Sequence, residues 1–459
     1  MDRKEEHSKQ LLNQVEDLID DNKILELREL IEEYHNRDIF DVLENLDEDK
    51  QIKLFEILPI DMAASILDET NSEFFKHILS KINIEHKVNI LEMMSLDDMA
   101  DILAELDENE REEIISLLNQ EDAQDVKELL IYEEESAGGI MTTGYISINK
   151  DMTAKEAIAY MRENAVDAET IYYLYVVDNS DKLVGVLSLR ELIVSRDDSI
   201  VEDLMSENII SVYVDEDREE AVKLVSKYDL IAIPVIDRNR ILKGIITVDD
   251  VIDVIEEEAS EDMYKFAGTS EQERDNIEQT NLDSKDKVLS SFKARIPWLI
   301  VTLIGGFIAT MILSRFDYII DSKYFPLIYF VPVITGMAGN IGTQASALSV
   351  MALSNKKIDF KNVILEGMVG VITGIICSLI IGIAAYFFVK DLNIVLIVSL
   401  SIIINMIIGA MIGSFIPMLF KKMDVDPSIF SAPIIATFLD IIGMVIYFLV
   451  TTIVLSKIV

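Results

Sequence analysis

SIFSAPIIATFLDIIGMVIYFLVTTIVL, residues 428–455, decides the class of this chain. It stays apolar for longer than the roughly 20 residues that cross a bilayer, and its only charge is Asp440. Four more apolar stretches precede it, at about 296–315, 325–353, 361–389 and 392–420. Several are longer than one crossing needs, which implies tilt or kinks. Five spans place the two ends of the region on opposite sides of the membrane. Lys293, Arg295, Lys356, Lys357, Lys361, Lys421 and Lys422 fall on one side, and Arg315, Lys323, Lys390 and Lys457 on the other. Basic residues in short loops stay cytoplasmic, so the N-terminus is expected inside and the C-terminus outside a multi-pass protein of the cell (inner) membrane. The opening MDRKEEHSKQ is too charged for a secretory signal.

Charge divides the chain. Of 82 acidic and 40 basic residues, residues 291–459 hold 8 and 11, and residues 1–290 hold 74 and 29. So acidic a half repels nucleic acid, which removes DNA and RNA as partners. Its apolar residues recur at helical and strand periods, so it is expected to fold rather than remain disordered. The carboxylates read either as a solvated face or as oxygen ligands for hard cations. Cys377 lies in an apolar run and can form no internal disulfide. His7, His35, His77 and His86 share no ligand-like spacing, which argues against zinc or copper. No phosphate loop or nucleophile constellation is present, and enzymatic activity is not expected.

Two sets of internal repeats organise the acidic half. LDEDKQIKLFEIL (46–58), LDETNSEFFKHIL (67–79) and LDENEREEIISLL (106–118) align without gaps, each with a Leu-Asp helix start. Further on, IYYLYVVDNSDKLVGVLSLRELI (171–193) matches LIAIPVIDRNRILKGIITVDDVI (230–252) at an offset of 59. IMTTGYISINKDMTAKEAIAYM (140–161) matches LMSENIISVYVDEDREEAVKLV (204–225) at an offset of 64. Each copy alternates strand-like and helix-like runs, giving two small α/β units that resemble CBS domains. The fold class is therefore multidomain: an all-α helical-repeat domain at 1–132, an α/β tandem pair at 133–260, a connecting helix at 261–292, and an all-α transmembrane domain of five helices per subunit at 293–459.

Polar groups at membrane depth carry the chemistry, because hydrocarbon cannot solvate them. The second span contains PVITGMAGNIGTQ (332–344), which puts Gly336, Asn340, Thr343 and Ala347 on one helical face. That face serves either close helix packing or a cation path. Pro332 is expected to weaken the helix just before it. In the fifth span, Asp440 lies deep, with Thr437 one turn earlier and no buried Lys or Arg to neutralise it. A carboxylate so placed is protonated, faces water, or holds a cation. One carboxylate with amide and hydroxyl oxygens is too few ligands for Ca2+ and suits Mg2+, which keeps several waters. Two copies of Asp440 across a twofold axis would supply the charge for a hydrated divalent ion, so a homodimer in the lipid bilayer is expected.

Taken in order, SLDDMAD (95–101), YEEESAGGIMT (132–142), TVDDVIDVIEEEASED (247–262), PVITGMAGNIGTQ (332–344), DVDPS (424–428) and PIIATFLD (433–440) resemble the MgtE family of magnesium channels over nearly the whole chain. Thr343 departs from the pattern, where many members carry a second Asn. The resemblance implies Mg2+ influx through a pore on a dimer axis, with Asp440, Asn340, Thr437 and Gly336 near the pore ion. It implies regulatory Mg2+ at Asp97, Asp101, Asp250, Asp253, Glu258, Glu261 and Asp262, with Asp215 and Asp217 as weaker candidates beside Lys227. Bound Mg2+ would compact the cytoplasmic half and close the pore. Thr247 and Asp250 also have the spacing by which CBS repeats hold ribose and phosphate. The first copy offers Ser188 and Glu191, so one ATP site at most is expected. The competing reading is a CBS-regulated secondary transporter coupled to Na+ or H+.

Overall fold

The computed structural model describes residues 2–68, 78–79, 81–164, 168–270, 284–316, 323–355, 360–423, 425–427 and 431–458. Its contacts divide the chain into two units, 1–256 and 257–459.

The first unit opens with helices α1 (Asp2–Asp20), α2 (Ile24–Glu32), α3 (Asn36–Glu44), α4 (Glu48–Ile57), α5 (Ile60–Asp68), α6 (Ile84–Leu91), α7 (Leu96–Glu105), α8 (Glu108–Leu117) and α9 (Gln120–Leu129). Local chemistry starts several of them. Asn83 Oδ1 accepts from His86 N at 2.8 Å to begin α6, and Ser95 caps α7. Capping oxygens satisfy N–H groups that have no partner inside the helix. The repeated Leu-Asp signal places Asp47 and Asp107 at the N-caps of α4 and α8, though neither side chain makes a cap hydrogen bond. The second copy, 67–79, lies mostly outside the described residues. Leu27, Ile31, Leu54, Phe55, Ile90 and Leu103 are among the side chains that close the helical core.

That core continues into the α/β pair, through Ala137, Met141, Val212, Ile233 and Ile246. Each repeat is a three-stranded sheet. The first is β1 (Ser147–Asn149), β2 (Tyr173–Val177) and β3 (Leu183–Ser188); the second is β4 (Val212–Tyr213), β5 (Ala232–Ile236) and β6 (Leu242–Thr247). In both, the first two strands are parallel and the last two antiparallel. The repeats exchange edges. Thr142 pairs with Ile245, and Ser206, its equivalent at offset 64, pairs with Val186, the equivalent of Ile245 at offset 59. Lys182 pairs directly with its own counterpart Ile241. The two offsets read from the sequence thus describe a pseudo-twofold pair.

After β6 the chain runs as one helix, Val248–Ala267, and Gly268 ends it with φ 78°, in the left-handed region that glycine adopts without strain. This differs from a single connecting helix over 261–292. Residues 284–292 instead begin the helix of the first span, Ser284–Ser314.

In the second unit five helices are long and apolar enough to cross a membrane: Lys287–Ser314, Phe325–Leu353, Phe360–Val389, Leu392–Lys422 and Ala432–Lys457. Small residues set their spacing. A Cβ on Gly409 of the fourth span would lie 2.9 Å from the Ala338 carbonyl oxygen of the second, and one on Gly370 of the third 2.7 Å from the Met406 oxygen of the fourth. Close backbone approach replaces the hydrophobic drive that lipid cannot supply. Pro332 falls in the first turn of the helix Val331–Asn355, after a 3-10 turn at Phe325–Phe330, so its missing N–H costs nothing there. The Leu327 carbonyl in that turn accepts from the buried Tyr447 hydroxyl at 2.7 Å.

Candidate ion path and acidic sensor site

In the membrane unit Asp440 is half-buried and meets the second span at Gly339, where a Cβ would lie 3.2 Å from its Oδ1. Asn340 follows directly and is exposed, as is Gln344 one turn on. Around Gly336 no described atom beyond its own turn of helix lies within 4 Å of where a Cβ would stand. The face carrying Gly336, Asn340 and Gln344 is therefore open, at a depth where amide groups facing lipid would be costly. Thr437 is placed differently from Asn340. Its hydroxyl donates to the Pro433 carbonyl at 2.7 Å, and its methyl packs against Gly305 of the first span.

In the first unit the acidic residues divide into those that meet and those that do not. Asp97 lies in the first turn of α7, is 8% exposed, and its Oδ1 has no hydrogen-bond partner among the described residues. Burial pushes its carboxyl up to about 6, with Asp98 adding to the effect. Asp250 accepts from the Thr247 N–H at 3.1 Å and the Thr247 hydroxyl at 2.5 Å, yet burial and then the charge of Asp97 push it up to about 7. Glu169, in the loop before β2, is raised by burial, then by Asp97, Asp98 and Asp249. α7, the first repeat and the start of the helix Val248–Ala267 thus aim carboxylates at one region. Such a group is unstable fully charged and suits a hard cation by its donor chemistry. Among the described residues, no three His, Cys, Asp or Glu side chains form a ready-made metal cage.

Glu169, Asp98 and Asp249 are absent from the sequence-derived set. Glu169 stands in a loop with no motif around it, and only its position in space brings it to Asp97. Asp101 and Asp253, each about one turn beyond a cluster member, are exposed. Asp215 is held well below the usual carboxylate range by the guanidinium of Arg238, whose Nη2 donates at 2.8 Å. Asp217 caps a helix by accepting from the Glu219 N–H at 2.8 Å. Lys227 lies 4.8 Å over the ring of Tyr228. The Thr247–Asp250 pair has its counterpart in Ser188–Glu191, which forms a complete capping box. In the second unit, Lys265 bridges Glu261 at 2.7 Å and Asp426 at 3.3 Å, while Glu258 and Asp262 are half-buried on the same helix.

Comparison with known proteins matches three family descriptions in chain order. The "MgtE intracellular N domain" matches residues 34–135, "CBS domain" matches 137–197 and 201–257, and "MgtE: Divalent cation transporter" matches 331–450. The magnesium transporter MgtE of Bacillus subtilis is 38% identical over 71% of this chain and 70% of its own length. The chain belongs to the MgtE family. The Thermus thermophilus magnesium transporter MgtE is 34% identical over 71% of this chain and 72% of its own length. Among solved structures, the soluble part of a magnesium transporter is 37% identical, with a TM-score of 0.50 over 55% of this chain and 99% of that one. The cytosolic domain of the Mg2+ channel MgtE in complex with ATP is 36% identical, with a TM-score of 0.51 over 53% of this chain and 99% of that one. The fold is that of an MgtE protein: a helical N domain, a CBS pair and five apolar membrane-length helices.

Proposed function

We propose that this chain carries Mg2+ into the cell through a pore on the axis of a homodimer, and that Mg2+ bound to its acidic cytoplasmic half closes the pore. Family membership supports Mg2+ as the transported ion and a transporter rather than an enzyme. The observation that carries the pore is the open face of the second span. Asn340 and Gln344 are exposed amides at membrane depth on the span whose Gly339 meets Asp440, and a water-filled path or a second copy of the same face gives them partners where lipid cannot. A twofold arrangement would set two Asp440 carboxylates around one hydrated divalent ion. The exposed apolar residues Tyr172, Ile193, Val194, Ile252 and Ile255 on the CBS pair also favour a second copy. The basic loop residues favour a cytoplasmic N-terminus and an external C-terminus.

Closure follows from charge. Two carboxylates about 5 Å apart repel by roughly 3 kcal/mol at an effective dielectric of 20. Asp97, Asp250 and Glu169 therefore resist compaction when ionised, and a divalent cation among them reverses the sign. Several such sites binding together supply the roughly 5.5 kcal/mol that a near-complete switch needs. Asp101, Asp253, Glu258, Glu261 and Asp262 extend this reading, within domains taken as 1–132, 133–260, 261–292 and 293–459. Thr247 and Asp250 are the proposed ATP contacts, in line with the ATP-bound relative. Mg2+ uptake into liposomes is the test. Asp440→Ala is expected to abolish uptake, and wild-type uptake by that variant refutes the pore. A saturable flux driven by a Na+ or H+ gradient, in place of conductance, would favour the coupled carrier.

A further inference from the structure

We propose that Asn405 is a positioning residue for the pore, fixing the turn of the fifth span that carries Asp440. This rests on the reading of Asp440 as the pore carboxylate.

Asn405 stands near the middle of the fourth span and is 2% exposed. Its Nδ2 donates to the Ser401 carbonyl at 2.9 Å, one turn back on its own helix. Its Oδ1 is buried and, among the described residues, accepts no hydrogen bond. A buried amide oxygen without a donor is a cost the chain avoids unless the group has a use, and at membrane depth the cost is not relieved by water. The direction of that oxygen supplies the use. It stands 3.0 Å from where a Cβ on Gly443 would lie, in the space a side chain there would take. Gly443 is one turn after Asp440, and the same missing Cβ would lie 3.4 Å from the Ala338 methyl of the second span. Ala338 in turn precedes Gly339, which faces Asp440.

Three helices thus meet at Asn405, Ala338 and Gly443, and the spacing of that meeting sets how Asp440 lies against Gly339. The amide gives the fourth span a polar edge against bare Cα of the fifth. A Cα–H group facing a carbonyl oxygen is weakly attractive and fixes rotation more sharply than an apolar contact does. Close packing of small residues makes the node stiff to displacement.

The test uses the full-length protein in liposomes with Mg2+ outside only, reading the half-saturating Mg2+ concentration and the melting midpoint. Asn405→Leu keeps the branched shape of the side chain and removes the oxygen together with the Nδ2 donor to Ser401. It is expected to raise the half-saturating concentration by about threefold or more, with the midpoint unchanged or higher because an unpartnered polar atom has gone. Gly443→Ala forces Asn405 aside and is expected to lower uptake by roughly tenfold, while adding Asn405→Ala makes room and returns uptake to within about twofold of wild type. An unchanged half-saturating concentration in Asn405→Leu overturns the proposal, and so does failure of Asn405→Ala to relieve Gly443→Ala. Should Asn405→Leu not fold, the Gly443 pair decides alone. Asp440→Asn in the same assay separates the two readings: wild-type uptake there sinks the pore assignment, whereas lost uptake there with normal Asn405 variants sinks only this one.

Discussion

Asp97 and Asp250 come from helices far apart in the chain, and the charge on Asp97 raises the proton affinity of Asp250 across the contact between the helical domain and the CBS pair. Neither helix needs the other to form. Their meeting brings two carboxyls into a poorly solvated region where ionising one makes ionising the other harder.

Stability should therefore depend on pH and on metal. Folding raises both groups from 3.8, to about 6 for Asp97 and about 7 for Asp250, so the folded protein binds protons more tightly than the unfolded chain. The sign is fixed by that difference: this contribution is full at acid pH and is lost as pH rises through about 7. In chelator, the melting midpoint is expected to fall between pH 5 and pH 8. Mg2+ is expected to restore it at pH 8 and to have little effect at pH 5, where protons hold the site. A midpoint that rises across that range, or equal Mg2+ effects at both ends, contradicts the account.

Neutralising Asp250, Asp253 and Glu258 together, as Asn, Asn and Gln, should leave uptake active at internal Mg2+ that silences the wild type. The two Asp residues lie in the first unit and Glu258 in the second, so the triple change removes candidate ligands from both. Flux in liposomes loaded with graded Mg2+ measures it. Inhibition as strong as in the wild type would remove the gating proposal while leaving transport untouched.

Gly244→Ala should destabilise the CBS pair. A Cβ there would lie 2.7 Å from the Thr142 carbonyl oxygen and 2.8 Å from Met141 Sδ, at the strand exchange between the repeats. Overpacking of this kind costs about 1–3 kcal/mol, a clear fall in the first melting transition. Gly185 meets only the side chain of Met205 at the symmetric place, so Gly185→Ala should act in the same direction with a smaller effect. Wild-type melting of both variants would mean that the exchange is looser than described.

Tyr447→Phe should weaken the membrane unit by about 1 kcal/mol, because the Leu327 carbonyl loses the donor that reaches it from the fifth span. The change keeps the ring, which packs at a tilt against the buried Phe448. Thermal stability in detergent and in lipid checks it, and an unaltered midpoint in both would show that another donor serves that oxygen.

Much of this protein was legible in one dimension. The five spans follow from composition alone, since hydrocarbon tolerates only long apolar helices, and the paired α/β units follow from repeats whose offsets reappear as strand exchanges. Asp440 was visible because a lone carboxylate in such a run has no bland explanation. Pro332 was legible as a helix breaker but not as a first-turn residue, because that depends on where the preceding 3-10 turn stops.

What the sequence by itself determined is which segments enter lipid, which repeat, and where charge is concentrated, because these depend on neighbours along the chain and on the solvent each segment tolerates. Only the tertiary structure decided that Glu169 joins Asp97, that Arg238 claims Asp215, and that Asn405 faces Gly443. Those are meetings between elements packed from distant parts of the chain. Local periodicity carries no information about which face will find which partner; packing and desolvation settle that together once the helices are in place.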